Sequence, residues 1–123
     1  MFVESLSLVN FRNHSEAEFQ FESGVNCIVG KNGSGKTNVL DAVHYLSMCR
    51  SYLNPMDRQN IRFNEQFFVI QGCWMKDEQP FNLYCGVKSG SKKVFKKNKN
   101  QFHKPLISTF KNIRYTLFFF VIN

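Results

Sequence analysis

The stretch Gly30-Lys31-Asn32-Gly33-Ser34-Gly35-Lys36-Thr37 constrains this chain more than any other feature, because it fits the pattern GxxxxGK(S/T) in full. With Gly at about 7% of ordinary sequence, a chance match is expected at roughly one in 30,000 per position. Its flanks agree with it. Val25 to Val29 is a short β-rich run that ends at the glycines, and Val39, Leu40, Val43, Leu46 and Ser47 then recur at helical spacing. That spacing predicts a helix from about Lys36 to Met48 with one face on a sheet. Strand, glycine loop, helix is the order a phosphate-binding unit requires.

The residue types suit that chemistry. Gly30, Gly33 and Gly35 let the backbone take conformations closed to residues with a Cβ, so that successive N–H groups turn inward around phosphate oxygens. A helix starting near Gly35 adds its unsatisfied N–H groups and the positive end of its dipole. Lys36 is the candidate catalytic residue, its ammonium expected between the β- and γ-phosphates, and Thr37 is the candidate metal ligand, offering a hydroxyl to Mg²⁺. The expected ligand is ATP with Mg²⁺.

Around this unit the chain reads as strands. Phe2, Glu4, Leu6 and Leu8 alternate with Val3, Ser5, Ser7 and Val9, and Ala17, Phe19 and Phe21 alternate with Glu18, Gln20 and Glu22. Pro55-Met56-Asp57 breaks the pattern after the helix. Gln66 to Met75, Phe81 to Val87 and Lys93 to Lys97 then predict three short strands, with turns at Asp77-Glu78-Gln79-Pro80 and Ser89-Gly90-Ser91. Ile107 to Asn123 is rich in Phe without an amphipathic period and is unlike the rest.

A chain of 123 residues allows one modest core. Cys27, Cys49, Cys73 and Cys85 form no CxxC pair, which argues for free thiols rather than zinc or a disulfide framework. The N-terminus lacks a basic region followed by an apolar stretch, and Leu117 to Ile122 is too short to span a bilayer. The expectation is a cytoplasmic protein with no membrane partner. Net charge is +7, yet all nine acidic residues lie in 1–78, while 79–123 holds nine basic residues and no acidic one. Seven lysines fall between Val87 and Lys104, with Phe95 and Phe102 among them. Such a hairpin can hold a nucleic-acid backbone, or it can be an ordinary solvated one whose lysines point to both faces. Phe in a hairpin is more often a hydrophobic anchor than a base platform.

Beyond the loop, Gly30 to Val43 resembles the SMC-like ATPases, which read GxNGxGK(S/T)NxLxA; Asn32 and Asn38 separate it from transporter ATPases. Leu8-Val9-Asn10-Phe11-Arg12-Asn13-His14 resembles the first-strand motif of the same group, most closely in the RecF family, and Arg50-Ser51-Tyr52 fits as well. The resemblance implies an α/β fold, the N-terminal part of a P-loop NTPase head of the ABC/SMC type, with a mixed sheet and an antiparallel meander beside the strand–loop–helix unit. It spans about residues 1–105, leaving 106–123 as an atypical tail, disordered or in an altered frame. It adds Asn38, Arg12 and Asn13 to Gly30 through Thr37 as nucleotide contacts, Arg12 toward phosphate and the Asn13 region toward the base. Read without the family, Arg12 is an exposed cation after a strand.

For partners, the resemblance implies single-stranded and gapped duplex DNA, an ATP-closed dimer with each nucleotide between the loop of one copy and a signature motif of the other, other recombination mediators, and the SOS response. No strand ending in paired acids and no Ser/Gly signature motif follows the loop in this sequence, and Asp77-Glu78, the adjacent acidic pair, reads as a solvated turn. The expectation is a truncated RecF-type product whose own ATPase activity is open. A small P-loop nucleotide kinase, a transporter ATPase subunit and a lysine-rich nucleic-acid-binding module with a non-functional loop are the alternatives.

Overall fold

The computed structural model describes residues 2–30, 35–102 and 117–122. Alternating apolar side chains generate its main layer. Strands β1 (Phe2–Phe11), β2 (His14–Gln20), β4 (Phe67–Lys76), β5 (Gln79–Lys88), β6 (Val94–Lys97) and β7 (Asn100–Phe102) form one six-stranded sheet in the order β2-β1-β4-β5-β6-β7, every pairing antiparallel. Strand β3 (Val25–Gly30) pairs instead in parallel with β8 (Leu117–Ile122). The parallel and antiparallel pairings thus sit in two sheets, and β1 and β2 belong to the antiparallel one with the meander. Helix α1 (Lys36–Met48) touches β4 and β5 of the large sheet and β3 of the small one.

Three local details depart from the simple periodic reading. In β1 the buried residues are Val3, Leu6, Leu8 and Phe11, not one even-numbered face; the register against β4 shifts between Val3 and Ser5. A bulge there inserts one residue and swaps Val3 for Phe2 on the core side. In α1 the buried residues are Val39, Asp41, Ala42, Tyr45 and Leu46, followed by buried Cys49 at the C-cap, while Leu40, Val43 and Ser47 are half-buried. The face is rotated because Tyr45 puts its ring among Phe11, Phe68 and Phe95 and sends its hydroxyl out to Asp57. A tyrosine with a partnered hydroxyl is core by area. Third, Leu117–Ile122, inside the stretch expected to be atypical, is a β-strand.

Strands β4, β5 and β6 lie close to expectation, whereas β7 is an additional short strand. β4 and β5 join through a two-residue turn, Asp77-Glu78, both with positive φ (52° and 63°) and both exposed, as a right-twisted hairpin prefers. Helix and sheet meet tightly at Gly72, where an added Cβ would stand 2.4 Å from the Trp74 ring and 3.1 Å from Leu46. A short 3₁₀ helix, Asp57–Asn60, follows the Pro55 break.

Candidate functional site

Of the glycine-loop candidates, Gly30 closes β3 and Gly35, Lys36, Thr37 and Asn38 begin α1; Lys31, Asn32, Gly33 and Ser34 lie outside the described residues. Gly35 is the N-cap, left-handed at φ 91°, and no side chain caps the helix there. The first turn holds no acidic residue, and Thr37 is exposed. The opposite end of α1 is satisfied differently: Cys49, the left-handed C-cap at φ 60°, accepts a 2.9 Å hydrogen bond on its carbonyl from Lys93, which also pairs with Asp57 at 3.1 Å. A cation just before β6 thus complements the negative helix end, while the positive end has no side-chain cap.

The turn between β1 and β2 is folded against Gly35. His14 Nε2 lies 3.1 Å from the Gly35 carbonyl, and a Cβ on Gly35 would fall 2.5 Å from Asn13 Oδ1 and 2.6 Å from His14 Nε2. Glycine is required twice over here, for the positive φ and for the approach of that turn.

Arg12 and Asn13 are therefore brought to the start of α1. Arg12 is not the exposed cation that its residue type suggests: its side chain is 14% exposed. Its Nε donates to Asn60 Oδ1 (3.0 Å), one terminal nitrogen to Asn38 Oδ1 (2.8 Å), and the other to Ser51 Oγ (2.8 Å) and Asp41 Oδ2 (2.5 Å). Asn38 in turn donates to Asn13 Oδ1 at 2.9 Å. The Ser51 hydroxyl donates to Asp41 at 2.5 Å, and the other Asp41 oxygen accepts the Tyr52 N–H at 2.6 Å. Asn60 also accepts the Arg12 N–H on its carbonyl at 2.9 Å, and Arg62 donates to the Asn13 carbonyl at 2.8 Å. The forked guanidinium suits this junction because it donates in three directions from one rigid plane.

Asp41, Ser51, Asn60, Arg62 and His14 are the residues that sequence reasoning did not assign. Asp41, His14 and Ser51 stood inside the quoted motifs without a role, whereas Asn60, fully buried, carries no sequence signal that tells it from a loop asparagine. The acidic pair Asp77-Glu78 does not join the site. It lies at the Phe2 end of β1, and Arg12 follows the other end, roughly 30 Å away for ten extended residues.

The lysines of the hairpin differ in their surroundings. Lys88, Lys92 and Lys99 are exposed, Lys96 lies 5.6 Å from the Tyr84 ring and Lys97 5.0 Å from the Phe81 ring, and Lys93 is committed to α1. Lys104 lies outside the described residues. Phe95 is buried and its ring is 5.6 Å from half-buried Phe102, so both anchor the hairpin. Beneath it, burial pushes the thiols of Cys85 and Cys49 up from their ordinary value, against which the charge of Lys93 works. Among the described residues no group of three metal-ligating side chains forms, and no helix is long and apolar enough to cross a membrane.

A family model for the AAA domain matches residues 5–114. The chain belongs to the AAA domain family. Within it the similarity is to RecF: the chain is 48% identical over 105 residues to the DNA replication and repair protein RecF of Phocaeicola vulgatus, covering 85% of this chain and 28% of that protein. A solved structure of the recombination mediator RecF with ATP superposes with a TM-score of 0.77 at 32% identity, covering 83% of this chain and 28% of that one. The SMC head domain of Thermotoga maritima shares the fold, with a TM-score of 0.68 at 19% identity over 84% of this chain and 39% of that one. The α/β P-loop head with its antiparallel sheet is thus the family's fold, and the chain spans under a third of the length of the RecF relatives it matches.

Proposed function

We propose that this chain is the phosphate-binding part of a RecF-like DNA-repair ATP-binding protein. The observation that carries this reading is the asymmetry of α1: its C-terminus is met by Lys93, whereas its N-terminus has neither side-chain cap nor acid and is approached by Arg12, Asn13 and His14. Gly30 through Thr37, with Lys36 foremost, would hold the phosphates, and Asn38, Arg12 and Asn13 would border them. Thr37, exposed at the start of the helix, would give its hydroxyl to Mg²⁺, which when bound offsets phosphate charge.

In this reading, ATP closes two copies into a dimer that holds single-stranded and gapped duplex DNA in the cytoplasm, with other recombination mediators as partners and the SOS response as context. Lys88, Lys92 and Lys99 are the hairpin cations free to meet a DNA backbone. The function is tested by measuring Mg-ATP affinity of the chain with and without gapped duplex at low salt. Nucleotide binding that strengthens DNA binding supports it. A chain that binds both ligands with no mutual effect keeps the phosphate site and loses the ATP-dependent DNA function.

A further inference from the structure

Asp41, Ser51 and Asn60 are the buried polar residues among those described, and all three converge on Arg12. Asp41 is the anchor. It is 3% exposed and is the one ionic partner of Arg12 among the described residues. Its two oxygens accept from the Arg12 guanidinium, the Ser51 hydroxyl and the Tyr52 N–H. From the same guanidinium the contacts continue to Asn38 on the first turn of α1, from Asn38 to Asn13, and from the turn that carries Asn13 to the Gly35 backbone. A carboxylate on the second turn of the helix is thereby joined, through one cation, to the groups around the helix's uncapped end.

We propose that Asp41 is a positioning residue for nucleotide: by fixing Arg12 it holds Asn38 and Asn13 against the Gly35 end of the phosphate loop. This rests on the reading of that loop as a phosphate site. A buried charge without its partner is costly. With Asp41 neutral, the guanidinium is drawn toward water, Asn38 loses the donor on its Oδ1, and the turn bearing Asn13 keeps its His14 contact with Gly35 but is held less firmly through Asn38. Ser51 acts in the same way one step removed, since its hydroxyl accepts from Arg12 and from the Asn54 N–H while donating to Asp41.

The test is Mg-ATP affinity, by calorimetry on the full chain, for the parent, Asp41→Asn, Asp41→Glu, Arg12→Gln and the double variant Arg12→Gln/Asp41→Asn, each held well below its unfolding midpoint. Asp41→Asn is expected to weaken binding about tenfold, the equivalent of one charge-assisted hydrogen bond. Asp41→Glu should recover part of the loss, and Asp41→Asn should add nothing once Arg12 is Gln. A merely structural carboxylate would lower the unfolding midpoint without that dependence on Arg12. Parent-like affinity in Asp41→Asn overturns the proposal, as does an equal loss in the Arg12→Gln background. If Asp41→Asn does not fold, Ser51→Ala is the probe, with about a threefold loss expected because the Arg12–Asp41 pair remains when the bridging hydroxyl is removed; no loss there overturns the proposal. A parent that binds no Mg-ATP removes the phosphate reading and this inference together, an outcome distinct from failure of the variants alone.

Discussion

Two basic regions of this molecule invite comparison, the Arg12 junction and the lysine hairpin. In the first a single cation, 14% exposed, satisfies groups from α1 and the 51–60 segment. In the second, lysines are spread over β5, β6 and the turns beside them, and one of them, Lys93, is bound to the end of α1. Density of charge along the sequence is therefore a poor guide to where charge is structurally specified. Burial is the better guide, because water screens and solvates an exposed ammonium but not a guanidinium closed in by Asp41 and Asn60.

The largest effect that could break this contrast is on stability. Arg12→Ala should cost about 3–5 kcal/mol in urea unfolding, since it leaves Asp41 buried without its cation. Lys92→Ala and Lys99→Ala, at exposed sites, should stay within about 0.5 kcal/mol. Similar losses at all three positions would erase the distinction. Next in size, Gly72→Ala should cost about 1–3 kcal/mol by pressing a methyl into Trp74, a change unconnected with charge that calibrates how firmly the sheet seats α1.

Lys93 offers a finer division within the hairpin. Lys93→Ala should cost about 1 kcal/mol of stability and leave the salt dependence of DNA binding unchanged, because the ammonium is occupied by the Cys49 carbonyl and Asp57. Lys92→Ala should do the reverse, lowering the salt slope by about one with no loss of stability. If Lys93 is the residue that carries the slope, the structural assignment fails.

The smallest effect lies under the hairpin, at Cys85. Burial raises its thiol pKa above the ordinary 9.0. The folded chain therefore keeps a proton that the unfolded chain releases above that value, so the stability contribution is present below pH 9.0 and is lost as pH rises further. Unfolding free energies at about pH 8 and about pH 10 should fall between the two, and Cys85→Ala should flatten the fall. An unchanged slope in that variant would assign the pH dependence elsewhere.

How much of this could be read in advance depends on the kind of interaction. Helix α1 was legible to the residue, Lys36 to Met48, because glycine punctuation and helical period agree there. The strands of the meander were legible to within a residue or two, since alternation and turn residues are local signals. What failed was long-range. The bulge near Glu4 depends on β4, some seventy residues away in sequence, and the parallel pairing of β8 with β3 joins segments some ninety residues apart. For the site, motif and resemblance pointed to Arg12, Asn13 and Asn38, and the structure brings those three together beside Gly35. Asn60 was invisible because its importance lies in what closes over it. Lys31, Asn32, Gly33 and Ser34, outside the described residues, rest on the sequence pattern alone.

The central claim, that Gly30 through Thr37 forms a nucleotide-phosphate site, is tested most directly by Mg-ATP binding to the parent chain and to Lys36→Ala, with low-salt DNA binding measured alongside. Lys36→Ala should weaken ATP binding about a hundredfold, the scale of lost charge-assisted phosphate contacts, and leave DNA binding largely intact. Equal ATP affinity in variant and parent would contradict it.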